Sequence, residues 1–220
     1  MFDLKDKGFF YITGKIGSFI SFLLSSAGRK SIIFYDSENE ALLLKEEIEF
    51  FSKKDVCIFP PYADRVFEKE DETRRISFLL QLVTANDFVG LYPYNAISHP
   101  LTAPGTLIDN TIDIRFGDTV FQEELISYLD ANGYELASLV REEGEYAKRG
   151  SIIDIFSPSY ARPVRLEFLG DQILSLRYFD SATQRSGQEE ERVNISPAKS
   201  VKNSSSTLLD YLDEGMIFVH

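Results

Sequence analysis

Two stretches of the chain hold residues whose types and spacing could do chemistry. The first is Tyr11-Ile12-Thr13-Gly14-Lys15-Ile16-Gly17-Ser18-Phe19, where a short apolar run meets a helix-like segment. A Gly-Lys pair at such a junction is the ground plan of a phosphate-cradling loop. The Walker form requires G-x-x-x-x-G-K-[ST]: the glycines turn backbone N–H groups inward, the Lys meets the β and γ phosphates, and the hydroxyl holds magnesium. Here Ile16 stands in place of the hydroxyl, and Phe9 stands where the first glycine belongs. The position of a nucleotide loop is kept and its chemistry is missing, so no working ATP site is expected. Lys15 then reads as a solvated residue near a helix N-terminus. The acidic run at residues 68–75 is followed by a helix pattern, so it reads as a solvated helix start and not as a magnesium-ordering pair.

The second stretch covers residues 144–186. In Arg165-Leu166-Glu167-Phe168-Leu169, strand alternation sends Leu166 and Phe168 to one face and Arg165, Glu167 and Leu169 to the other. Arg149 comes close to this second face if the preceding strand pairs alongside. An exposed Leu flanked by two arginines has the composition of a small protein-binding patch, since Arg is enriched among interface anchors. A solvated strand face would have the same composition, and spacing alone does not separate the two. Glu167 is placed to orient Arg165 within its own strand.

Other reactive residues are sparse. The single Cys57 lies in the apolar run Val56-Cys57-Ile58-Phe59, which excludes a disulfide within the chain. The two histidines, His99 and His220, are far apart in sequence and read as ordinary surface residues.

The elements that must position these residues change character along the chain. Apolar runs at residues 9–12, 31–35, 55–59 and 87–92 alternate with amphipathic segments at 15–27, 37–52 and 72–84. Ser37 with Glu40 three positions on forms a helix-start signature. Leu43, Leu44, Ile48 and Phe51 then recur at helical spacing. This βαβα rhythm predicts a parallel sheet flanked by helices. Pro60-Pro61 should end the third strand, because proline cannot donate to a ladder.

Near residue 112 the rhythm changes. Residues 118–132 read as one helix, with Asp118 as cap and Gly133 as stop. Short strands follow at 135–140, 151–156, 163–169 and 172–179, the last two joined by the tight-turn pair Gly170-Asp171. A Ser-rich stretch at 199–206 leads to a helix-like segment near 208–212 and an apolar strand at 216–219. A strand so close to the last residue predicts that the chain is cut from something longer.

The 220 residues carry eighteen Phe and eleven Tyr, enough for a real core in one large or two small domains. The net charge of −12 argues against broad, sequence-independent nucleic-acid binding, which needs surplus Lys and Arg to displace counterions from phosphates. It argues equally against an anionic membrane surface. The absence of an apolar core behind a basic start predicts a cytoplasmic protein without a signal peptide.

The ordered pattern in residues 144–186 is specific. It supplies Gly144-Glu145-Tyr146, Arg149-Gly150, Ile153-Asp154-Ile155-Phe156, Arg165-Leu166-Glu167-Phe168, Gly170-Asp171, Arg177-Tyr178-Phe179-Asp180 and Gln184-Arg185-Ser186. This segment resembles the second domain shared by the nucleotide-excision-repair protein UvrB and the transcription-repair coupling factors (Mfd). Upstream, GYELASLVREEGEY and PPYADRVFEKEDETRRISFLLQL also resemble this family. The broken loop at Gly14-Lys15-Ile16, and a connection after Pro60 too short for UvrB's DNA-clamping hairpin, match the coupling factors.

The resemblance implies an α/β fold: a degenerate RecA/helicase-like parallel-sheet domain lacking a working Walker loop (1–111), an inserted small α+β, β-meander domain that binds UvrA (112–193), and a linker with the start of a return segment (194–220). It implies a catalytically silent docking module for UvrA, with no cofactor and no metal. RNA polymerase and DNA would be partners only through downstream parts of the full-length protein. The UvrA contact would fall on Arg149, Arg165 and Leu169. The arginines would pair bidentately with carboxylates or carbonyls, and Leu169, in place of the family's Phe, would fill a shallow apolar depression between them. The alternative is an ATP-dependent UvrB- or helicase-type domain with an atypical phosphate loop.

Overall fold

The computed structural model describes residues 30–62, 69–200, 205–211 and 216–219. The Thr13-Gly14-Lys15 loop, the expected strand at 9–12, the expected helix at 15–27 and His220 lie outside the described residues. The chain divides into two compact units, one of residues 1–62, 81–99 and 211–220, the other of residues 63–80 and 100–210.

The first unit is built on a parallel sheet in the order β12-β1-β3-β2, with β1 Ser31–Tyr35, β2 Val56–Ile58, β3 Val89–Pro93 and β12 Met216–Val219. Every residue of β1 and β3 is buried. Continuous apolar runs such as Ser31-Ile32-Ile33-Phe34-Tyr35 suit a strand covered on both faces. Helix α1, Glu38–Ser52, follows β1. The Ser37 hydroxyl accepts the Glu40 N–H at 3.3 Å, and the Glu40 carboxylate accepts the Asp36 N–H at 2.9 Å. The return bond of this capping box therefore lands one residue before the cap. The buried stripe of α1 is Ala41, Leu44 and Ile48, packed with Ile33, Tyr35, Val56, Val89 and Leu91. Leu43 and Phe51, expected on that stripe, are exposed: Ala41 takes the inward place because it lies three residues before Leu44 on the sheet side.

Aromatic side chains fill the carboxyl ends of this sheet. The Phe59 and Tyr92 rings lie 4.5 Å apart, and neither side chain is exposed. The Tyr35 hydroxyl donates to the Phe59 carbonyl at 2.9 Å, and Tyr92 to the Ala96 carbonyl at 3.3 Å. Helix α2, Lys69–Thr84, contributes its residues through Leu80 to the second unit and the rest to the first.

The second unit contains α3 Pro104–Asp109, β4 Ile112–Arg115, α4 Gln122–Ala131, β5 Glu135–Leu136, β6 Glu145–Arg149, β7 Ile152–Ile155, β8 Val164–Leu169, β9 Gln172–Phe179, β10 Ser186–Glu189 and β11 Arg192–Ile195. Strands β6 to β10 form an antiparallel meander, with β5 added in parallel at the β6 edge. The fold is thus mixed α/β, with a parallel sheet in one unit and a largely antiparallel one in the other. Gly150 (φ 62°) and Gly170 (φ 64°) occupy the turns after β6 and β8, a left-handed conformation that glycine adopts without steric cost.

One face of the meander is the core. Tyr146, Ile153, Ile155, Val164, Leu166, Phe168, Ile173 and Leu176 pack there with Leu125 and Leu129 of α4 and with Ile114, Val193 and Ile195 of the β4–β11 pair. The helix expected at 118–132 starts later, at Gln122. Asp118 closes a turn instead, accepting the Arg115 N–H at 2.8 Å. That bond holds residues 115–118 out of the helix, and the loop between donates Val120 N–H to Asp171. The strand expected at 135–140 is only the two residues of β5; its backbone turns away after the Ala137 N–H bonds Tyr146. Strands β4, β6, β10 and β11 and helix α3 were not anticipated as elements.

Candidate functional site

The second face of the meander carries the expected site residues. Along β8, Arg165 and Glu167 are half-buried and Leu169 is 68% exposed, while Val164, Leu166 and Phe168 are buried, as alternation requires. Arg149 ends β6. It does not lie beside β8, because β7 runs between them.

What joins the two arginines is Asp154, in the middle of β7 and fully buried. In register it opposes Ala147 on one side and Arg165 on the other. Arg165 donates from Nε to Oδ1 at 2.7 Å and from Nη2 to Oδ2 at 3.0 Å, a bidentate pair. Arg149 donates from Nη2 to the same Oδ2 at 2.5 Å. A buried carboxylate is costly unless paired and hydrogen-bonded, and this one is shared by two cations. The bond to Asp154 raises the Arg165 guanidinium above its ordinary value, against the opposing effect of burial; the charge of Glu167 adds less. Asp154, not Glu167, therefore orients Arg165.

Arg165 is fixed on its other sides too. Its guanidinium lies 4.6 Å from the centre of the Phe179 ring, a cation–π contact. Its Nη1 donates to Ser186 Oγ at 3.2 Å. A tight turn delivers Ser186: Asp180 accepts the Thr183 N–H at 2.6 Å, Gln184 sits at φ 60°, and its amide donates to the Ser181 and Val140 carbonyls. Those turn bonds, the Thr183 N–H first, hold the Asp180 carboxyl below the usual range. Val140, Ala147, Phe156 and Phe179 form a small apolar cluster of their own. The Arg165 side chain is left 14% exposed, against 46% for Arg149.

Leu169 does not sit between the arginines. Its Cα partner is Gln172 at the hairpin end, two pairs beyond the row of Arg149, Ile152 and Glu167. Four strand residues from Arg165 put it about 13 Å along β8. Arg177, the cross-strand partner of Arg165, joins the same face and bonds Glu189 of β10. The sequence reading missed Asp154 as a partner. The signal was a lone acid between two isoleucines in a strand pattern, where either a buried pair or a broken strand must follow.

Comparison with known proteins agrees with this unit. Residues 112–200 match the model of the UvrB interaction domain. The chain is 33% identical over 173 residues, 76% of its length, to a transcription-repair-coupling factor of Haemophilus influenzae, and 33% identical over 177 residues, 78% of its length, to that of Escherichia coli K12. A Myxococcus xanthus transcription-repair-coupling factor is 37% identical over 94 residues, 43% of the chain. The chain matches about 15% of the length of the first two relatives and 8% of the third.

Proposed function

Given that residues 112–200 are a UvrB interaction domain, in a chain related over most of its length to transcription-repair-coupling factors, we propose that it is the UvrB-like docking module of such a factor and binds UvrA. The observation that carries the reading is the open face of the meander. It offers a half-exposed Arg149 at the end of β6 and an exposed Leu169 at the end of β8, on a sheet whose other face is packed. A cation and an apolar contact held on a rigid strand surface suit a protein partner better than a small molecule.

The module works without chemistry of its own, in the cytoplasm, as a degenerate RecA-like unit. Ile16 and Phe9 support the loss of a Walker loop. The aromatic packing of Phe59 and Tyr92 at the carboxyl ends of the parallel strands supports it further, because ligands of such sheets bind in an open crevice there. RNA polymerase and DNA are reached through other parts of the longer protein.

Pull-down with purified UvrA tests the proposal. The wild-type chain is expected to retain UvrA, and the Arg149→Ala, Arg165→Ala double variant to lose most of it. Equal retention by both would remove this face from the interface. ATP binding abolished by Lys15→Ala would instead support a nucleotide-dependent enzyme.

A further inference from the structure

We infer that Asp154 is a positioning residue for partner binding: it holds Arg149 as the outward cation, while Arg165 serves as the internal brace and not as a direct bidentate contact. The inference rests on the proposed docking to UvrA and assigns different roles to residues that the sequence treats alike.

The donors decide it. A guanidinium has five N–H groups in a fixed fork. Arg165 places Nε and Nη2 on Asp154 and Nη1 on Ser186, with the Phe179 ring against one face. Its side-on fork, the edge that matches a carboxylate, is already filled from within. Arg149 makes one bond, from Nη2 to Asp154, and its Nε and Nη1 have no other partner among the described residues. With 46% of its side chain exposed, it offers those free N–H donors to an incoming carboxylate or carbonyl. Asp154 is unexposed and cannot touch a partner, so it acts on binding only through the arginines.

The arrangement also limits the rotamers of Arg149. An unanchored Arg must lose side-chain freedom when a partner immobilises it. One bond to a carboxylate that is itself pinned by Arg165 removes part of that loss beforehand. The partner group on UvrA is accordingly an acidic side chain, met at the β6 end of the sheet, with the apolar contact at Leu169 further along β8.

A double-mutant cycle between Asp154→Asn and Arg149→Ala tests this, with UvrA affinity as the readout and thermal melting as the control for folding. Asp154→Asn is expected to weaken UvrA binding about tenfold in the wild-type background and by less than about twofold when Arg149 is already Ala. A purely structural role for Asp154 would give the same loss in both backgrounds, and that result overturns the inference while leaving the docking reading intact. No loss from Arg149→Ala alone overturns the site assignment and the inference together. If Asp154→Asn does not fold, Asp154→Asn with Arg165→Gln removes both buried charges at once and enters the same cycle, with the same expected and contrary results.

Discussion

Arg165 and Asp154 face each other across β8 and β7 and share two hydrogen bonds, at 2.7 and 3.0 Å, in a place where Asp154 has no solvent exposure. The pair is the centre of the open face. Everything that distinguishes the arginines follows from it: one is consumed by the carboxylate, the other is tethered to it and free to act.

Removing the carboxylate leaves two cations without their shared partner. Asp154→Ala is expected to destabilise the second unit by about 3–5 kcal/mol, the usual cost of breaking a buried ion pair from one side. That corresponds to a fall in melting temperature on the order of 10 °C. Calorimetric melting checks it, and a loss under about 1 kcal/mol would mean that the arginines find other partners.

Leu169 separates stability from binding. Its side chain is 68% exposed and belongs to no core cluster, so Leu169→Asp is expected to leave the melting temperature within about 1 °C. The same change is expected to lower UvrA affinity roughly tenfold, by replacing an apolar contact with a charge that must be desolvated in the interface. Surface plasmon resonance reads the affinity. An unchanged value would place the hairpin end outside the interface.

The Asp180 turn makes a pH prediction. Its carboxyl is held low by the Thr183 N–H and further turn bonds, so the unfolded chain binds a proton there more readily than the folded one. The stabilisation is present above the ordinary carboxylate value of about 4 and is lost as pH falls through the lower folded value. Asp180→Ala should therefore melt below wild type at pH 7, with the gap closing toward pH 3. A gap that persists undiminished at low pH would contradict the assignment.

Cys57 is expected to be sluggish. Burial pushes its thiol up, and the S–H donates to Gln81 Oε1 at 3.2 Å. Since the thiolate is the nucleophile, alkylation by iodoacetamide at pH 8 should run several times slower than for free cysteine. A rate equal to free cysteine would show the site to be open.

Much of the frame was legible from residue patterning. The all-apolar runs at β1 and β3 declared buried parallel strands, and Ser37 with Glu40 declared the start of α1. The Arg165–Leu169 alternation put each side chain on its observed face. What failed depended on partners distant in sequence. Asp118 looked like a helix cap, but its carboxylate bonds the Arg115 N–H and starts a turn. Strand β11 was invisible because its short Arg-Val-Asn-Ile run acquires meaning only against β4. Glu167 was the nearest acid to Arg165 in sequence, whereas the acid that holds it comes from the neighbouring strand. The β7–β8 register, across the connection at residues 156–163, determines that choice, and local composition does not reveal it.

The most direct test of the docking account is calorimetric titration of UvrA with the wild-type chain and with Arg149→Ala. The account expects saturable binding by the wild type and an affinity weaker by about 1–2 kcal/mol, five- to thirtyfold, in the variant, with the fold unchanged because Arg165 still pairs Asp154. Equal affinities for the two chains, or no binding by the wild type, would contradict it.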